Sequence, residues 1–135
     1  MVARAEAELG PVTILVNNAG VSWQGTLDTY DPEQVARMHQ VNADGVIHAT
    51  RAVMASIRAR RYGRIVNLAS MAAIGTALSG NAFYAATKAE VVSLTRRFAL
   101  ELGQHGITVN AVAPGFVRTD MTQRDPRRNA SPHER

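Results

Sequence analysis

Across 135 residues, with 46% hydrophobic and 19% charged side chains, the chain has the size and make-up of one globular domain rather than of a disordered segment. The absence of cysteine excludes a disulfide framework and a thiolate metal site, the four histidines lack ligand-like spacing, and no apolar run reaches the ~20 residues of a bilayer span. Fifteen lysines and arginines against 11 acids give a formal net charge of +4, but these cations form no single stripe and are not interleaved with stacking aromatics, so nucleic acid is not an expected partner.

The first run rich in Val and Ile is Thr13-Ile14-Leu15-Val16-Asn17, which reads as a buried strand ending at Asn17-Asn18-Ala19-Gly20. From Pro32 to Arg61 the apolar residues Val35, Met38, Val41, Val46, Ile47, Val53, Met54 and Ile57 recur at mostly helical spacing. Asp31 before Pro32 has the form of a cap followed by a first-turn proline. Arg58, Arg60, Arg61 and Arg64 fall at the end of that helix, where cations complement the dipole. A second strand, Arg64-Ile65-Val66-Asn67-Leu68-Ala69, leads directly to Ser70. A second helix is expected over Ala82–Glu101, ended by Gly103 or Gly106, and a third strand over Ile107-Thr108-Val109-Asn110-Ala111-Val112. Alternation of strand and helix predicts an α/β fold with a doubly wound parallel sheet and right-handed crossovers. Residues 1–122 form the expected domain. Residues 123–135, with two prolines, four arginines and no large apolar side chain, are expected not to pack. The N-terminal residues lack the apolar stretch of a signal peptide, which makes the cytoplasm the expected location.

Ligands of parallel α/β sheets bind at the carboxyl ends of the strands. The segments that leave those ends are therefore informative: Asn17-Asn18-Ala19-Gly20 after the first strand, Ser70 after the second, and Ala113-Pro114-Gly115-Phe116-Val117-Arg118-Thr119 after the third. The second helix opens with Tyr84-Ala85-Ala86-Thr87-Lys88, and side chains four residues apart share a helical face. Lys88 is the only lysine in the chain. A free phenol ionises near pH ~10, and a neighbouring ammonium together with a helix N-terminus would lower that value, turning Tyr84 into a usable acid and base. Ser70 is placed to hydrogen-bond the same substrate oxygen as charge develops on it.

Singly, these residues have ordinary structural roles open to them; as an ordered set spanning most of the chain they resemble the short-chain dehydrogenase/reductase family, over about Gly10 to Thr122. The resemblance implies a partial Rossmann-like sheet made of strands 4, 5 and 6 of the family's seven. It implies Tyr84 as catalytic acid/base, Ser70 as the carbonyl-positioning group and Lys88 as both the tuner of Tyr84 and a ligand of the nicotinamide ribose. Asn42, within Val41-Asn42-Ala43-Asp44-Gly45, is similar to the family asparagine that holds a water of the proton relay. Asn18, Ala19 and Gly20 match the segment beside the cofactor ribose, and Pro114, Gly115, Val117 and Thr119 the turn that meets the nicotinamide carboxamide. Tyr84 and Lys88 thus count as cofactor-binding as well as catalytic. The cofactor so implied is NADP or NAD, with no metal.

Within the family, the strings Leu15 to Gly20 and Val109 to Met121 are most similar to bacterial 3-oxoacyl-(acyl-carrier-protein) reductases. That implies a small-molecule or acyl-carrier-bound carbonyl substrate, with Arg61 and its neighbours where an acidic carrier would be met. The two long helices imply a homo-oligomer. The chain departs from the family in having no Thr-Gly-x-x-x-Gly-x-Gly turn, the element that cradles the pyrophosphate. Smaller departures are Thr13 in place of an aspartate, Glu90 in place of a small residue, and one extra residue between Ser70 and Tyr84. The resemblance puts Met1 inside the family's third helix, which favours a fragment over a genuinely short protein. The leading functional expectation is hydride transfer between a nicotinamide and a carbonyl carbon. A non-catalytic remnant serving as an interaction module is second, and nucleic-acid binding through the arginines is last.

Overall fold

The computed structural model describes residues 1–75, 78–117 and 119. Its elements in chain order are α1 (Val2–Leu9), β1 (Ile14–Asn17), α2 (Pro32–His39), a π-helical turn (Gln40–Asp44), α3 (Gly45–Arg60), β2 (Gly63–Leu68), a short 3-10 turn (Met71–Ala73), α4 (Ala82–Gly103) and β3 (Ile107–Val112). The three strands form one parallel sheet in the order β1-β2-β3. Ile14 pairs with Arg64 and Asn17 with Asn67 across the first ladder, and Gly63 pairs with Ile107 and Leu68 with Val112 across the second. All three carboxyl ends therefore meet at one edge, the condition for a shared ligand site.

The strands alternate rather than being buried on both faces. Ile65 and Asn67 of β2 and Ile107 and Val109 of β3 face the core, where Ile65, Ile107 and Val109 pack with Val53 and Ile57 of α3 and Leu102 of α4. The opposite face carries Ile14 and Val16, which are 60% and 55% exposed, and Val112. The apolar content of these runs predicted burial, but alternation along a pleated strand sends every second side chain to the other face, and among the described residues no helix covers it.

The expected helix from Pro32 to Arg61 is two helices. Asp31 caps the first, its carboxylate accepting from the backbone N–H groups of Glu33 (2.9 Å) and Gln34 (3.3 Å), with Pro32 at the first position. At Gln40–Asp44 the chain takes one wide π turn before α3 begins. Such turns insert a residue without changing the apolar pattern enough to be read from spacing alone. The helix α3 ends at Arg61, in the left-handed conformation with φ 52°.

The arginines after α3 are engaged locally. Arg60 donates to Val12 O (2.8 Å), Arg61 to Gln104 O (3.0 Å) and Arg64 to Gly106 O (3.2 Å). The Arg64 guanidinium also lies 4.4 Å from the centre of the Tyr62 ring. These bonds fasten together the loops at the amino ends of the strands. Helix α4 stops at Gly103, and the chain turns into β3 through Gly106, whose φ is 73°. A Cβ on Gly106 would stand 2.5 Å from Arg61 O, so both conformation and space require glycine there. The expected tail 123–135 lies outside the described residues, as do Arg118, Met121 and Thr122.

Candidate active site

At the carboxyl edge of the sheet four segments converge: the loop leaving β1, the π turn, the end of β2 and the first turns of α4. Asn42 is fully buried in the π turn and bonds through both ends of its amide. Its Oδ1 accepts from Val21 N (2.8 Å), and its Nδ2 donates to Val21 O (2.9 Å) and to Thr87 Oγ1 (3.0 Å). Thr87, also fully buried, donates in turn to Tyr84 O (2.8 Å). One asparagine thus fixes the β1 loop to the helix that carries Tyr84. Both N–H donors of the Asn42 amide are thus taken, and its oxygen holds the backbone of Val21.

Lys88 is 4% exposed, and its ammonium donates to Leu68 O, the last carbonyl of β2, at 2.6 Å. An ammonium has three N–H donors; among the described residues, that carbonyl takes one. Gly20 approaches the same group, since a Cβ there would lie 3.4 Å from Asn42 Oδ1 and 3.5 Å from Lys88 Nζ. The Lys88 nitrogen is 5.9 Å from the centre of the Tyr84 ring.

Ser70, extended in backbone, accepts from Ala72 N (3.1 Å) through its hydroxyl and so starts the Met71–Ala73 turn. Burial pushes the Tyr84 phenol above its ordinary range, and hydrogen bonding with Ser70 pulls the other way. Burial likewise pulls the Lys88 ammonium down. The net lowering of Tyr84 by Lys88 that the sequence leads one to expect is therefore not the balance here. Desolvation of the phenolate outweighs the hydrogen bond with Ser70, and the Lys88 donor is directed at Leu68 O.

The loop after β3 joins the same edge at its start: Pro114 O accepts from Met71 N (3.0 Å), next to Ser70. The structure thus brings together Gly20, Asn42, Ser70, Tyr84 and Lys88, with Pro114 beside them. Asn18, Ala19, Gly115, Val117 and Thr119 lie on the exposed surface of the loops leaving β1 and β3. No group of three or more His, Asp or Glu side chains that could hold a metal is found among the described residues.

Sequence reasoning missed a buried polar chain behind this edge. Asn17 Nδ2 donates to Asn67 Oδ1 (2.8 Å) at the matched register position, and Asn67 Nδ2 donates to Thr95 Oγ1 (2.9 Å), which donates to Val91 O (2.7 Å). An asparagine near the same end of two otherwise apolar strands was the available signal, since buried amides require partners. Thr87 was also missed, although it stands inside the Tyr-Ala-Ala-Thr-Lys string.

The sequence model of the short chain dehydrogenase family matches residues 1–130. The chain belongs to the short-chain dehydrogenase family. Among similar proteins, nodulation protein G of Azospirillum brasilense is 40% identical over 121 residues, which cover 90% of this chain and 49% of that protein. The 3-oxoacyl-(acyl-carrier-protein) reductase of Escherichia coli (strain K12) is also 40% identical over 121 residues, covering 89% of this chain and 49% of the reductase. The crystal structure of a gluconate 5-dehydrogenase from Burkholderia cenocepacia J2315, in complex with NADP and tartrate, superposes with a TM-score of 0.86 at 35% identity. It covers 90% of this chain and 48% of that one. The chain therefore spans about half the length of these proteins.

Proposed function

We propose that this chain carries the catalytic half of an NAD(P)-dependent oxidoreductase that interconverts a carbonyl and an alcohol. The observation that supports this most directly is the buried Lys88 ammonium, held at the end of β2 with Gly20 against it and Tyr84 one helical turn before it. A cation so buried is costly unless its donors are used, and Leu68 O takes one of three. Gly20 leaves room for the hydroxyl groups of a ribose to take the others, so these residues fit a nicotinamide nucleotide. Pro114, Gly115, Val117 and Thr119 would edge the ring, with Asn18 and Ala19 beside the ribose.

When bound, the nicotinamide gives or receives the hydride. The chain's own task is the proton. In the reducing direction the Tyr84 phenol, whose proton burial holds more tightly, donates to the carbonyl oxygen as charge collects on it. The Ser70 hydroxyl, fixed by its bond from Ala72 N, steadies the same oxygen. The positive charge of Lys88 then stabilises the tyrosinate left behind. Asn42 and Thr87 hold the turn of α4 that sets the direction of the phenol.

The finer reading is reduction of a 3-oxoacyl thioester, free or on an acidic carrier, with NADP as cofactor. It rests on what the similar reductase is called and on the NADP in the similar dehydrogenase structure. Arg61 would supply exposed positive charge for a carrier; it lies before β2, and so about 20 Å from the Ser70 end at ~3.3 Å per residue. α3 and α4 are the surfaces for pairing with a second copy.

Titrating the 135-residue chain with NADPH and NADH, followed by nucleotide fluorescence, tests the proposal together with turnover of an acetoacetyl thioester by wild type and Tyr84→Phe. Saturable binding and Tyr84-dependent turnover are expected. A folded sample that binds neither nucleotide refutes catalysis by this chain and leaves the interaction module.

A further inference from the structure

The buried amide chain and the Lys88 ammonium grip neighbouring residues of β2. The ladder between β1 and β2 closes on the pair Asn17 and Asn67, and the carbonyl of the next residue, Leu68, takes the ammonium at 2.6 Å. Asn67 is fully buried and is bonded at both ends of its amide: Oδ1 accepts from Asn17 Nδ2 at 2.8 Å, and Nδ2 donates to Thr95 Oγ1 at 2.9 Å. Consecutive residues of β2 are thus tied to α4 twice, by a side chain at Asn67 and by a backbone oxygen at Leu68.

Each step of the chain has one direction. Thr95 gives its only hydroxyl hydrogen to Val91 O (2.7 Å), so towards Asn67 it can only accept. Asn67 must then turn its NH2 group to Thr95 and its oxygen to Asn17. Lys88 and Thr95 stand seven residues apart on α4, close to two full turns, so they share a face of the helix at a separation of about 10 Å along it. Val91, fully buried between them, packs with Ala69 just beyond the end of the same strand. The two bonds differ in stiffness. Lysine carries its charge on a flexible four-carbon stem and can follow a helix that slides or turns. The threonine hydroxyl sits on Cβ, and the branched side chain is restricted about χ1, so its bond to Asn67 holds only at one placement of α4. The lysine therefore keeps its contact with Leu68 O because the threonine holds the helix still.

We propose that Asn67 and Thr95 are positioning residues for Lys88: the chain from Asn17 through Asn67 to Thr95 fixes α4 against the end of β2 and so holds the ammonium on Leu68 O. The role rests on the reading of Lys88 as the group that meets the nucleotide ribose and stabilises the tyrosinate, and the two residues act only through it.

Lys88 is the only lysine, so the full chain grown with isotope-labelled lysine gives a single ammonium signal in magnetic resonance, read in the folded state. Exchange of its protons with water should be about tenfold slower than in free lysine, the order of one charge-assisted hydrogen bond. Thr95→Val, which keeps the shape and removes the acceptor, should remove most of that protection and raise the half-point for NADPH about fivefold. Thr95→Ser, which keeps the hydroxyl, should retain both. Ile107→Val trims the core at the far end of β3 and serves as the stability control: it should lower the midpoint of urea unfolding and leave the exchange unchanged. Should Thr95→Val not fold, Thr95→Cys, whose thiol is a weaker acceptor, carries the same test with a smaller loss. A folded Thr95→Val whose ammonium exchanges as in wild type overturns the proposal. An equal rise in exchange in Ile107→Val overturns it too, because general loosening of the core would then be the cause. Nucleotide binding and turnover that persist while the exchange ignores Thr95 remove the positioning role and leave the oxidoreductase reading standing. Exchange that follows Thr95 in a chain that binds no nucleotide keeps the positioning of Lys88 and removes the oxidoreductase reading.

Discussion

Replacing Thr87 by valine isolates the hydrogen bonds that join the π turn to α4. The site is fully buried, and the new methyl takes the place of the hydroxyl, so little volume changes. Two bonds are lost: Asn42 Nδ2 to Thr87 Oγ1 at 3.0 Å and Thr87 Oγ1 to Tyr84 O at 2.8 Å. The second loss is minor, because Tyr84 O remains inside a helix and keeps its backbone partner. The first leaves one amide hydrogen of a fully buried asparagine without an acceptor, which costs about 1–3 kcal/mol. Thr87→Ser keeps the hydroxyl and gives up only one methyl group, at about 1 kcal/mol. Urea unfolding followed by circular dichroism should therefore rank the proteins wild type, Ser, Val in falling stability. The two variants unfolding in the reverse order would show that the position matters for packing, and that the link between Asn42 and α4 carries no weight.

Burial raises the folded-state value of Tyr84, so its proton is bound more tightly in the folded chain, and this contribution is present below about pH 10 and lost as pH rises further. The stability gap between wild type and Tyr84→Phe should accordingly narrow above pH 10; a gap that widens there, in unfolding followed by fluorescence, contradicts the buried phenol. Lys88 has the opposite sign: its lowered value makes the charged form a burden, relieved as pH rises through its folded value towards about 10.5, so wild type should gain on Lys88→Met across that interval. Gly106→Ala combines a positive φ of 73° with a Cβ 2.5 Å from Arg61 O, and should cost about 2 kcal/mol or more in thermal unfolding. Substituting lysine for Val16, on the bare face of the edge strand, should reduce concentration-dependent association in sedimentation while changing unfolding free energy by less than about 0.5 kcal/mol.

The architecture was legible because its signals are local. β-branched runs, the Asp31-Pro32 cap and the glycines near residue 103 each specify conformation within a few residues, and the three strands and α4 fall within a residue or two of where those signals put them, whereas the break between α2 and α3 was not foreseen. The candidate site was legible as a set of residue types at strand ends and on one helix turn, and the chain does assemble Gly20, Asn42, Ser70, Tyr84 and Lys88. The features that escaped depend on distance through space. Neither the destination of the Lys88 ammonium at Leu68 O nor the pairing of Asn17 with Asn67 is encoded in spacing along the chain. The sign of the Tyr84 shift turned on how much water the folded chain excludes from the phenol, a property of packing that the Tyr-x-x-x-Lys pattern does not contain. Exposure of Ile14 and Val16 was hidden because an apolar side chain looks the same in sequence whether or not something lies against it.

The wide turn at Gln40–Asp44 makes length, as distinct from composition, a constraint on this part of the chain. Removing one residue there would let α2 run into α3 as a single regular helix, a locally easier conformation. It would also change the backbone path at Asn42, whose side chain bonds Val21 and Thr87 from inside that turn. Variation in this segment is therefore expected to be read as exchanges of side chains, with insertions and deletions displaced to the loops on either side.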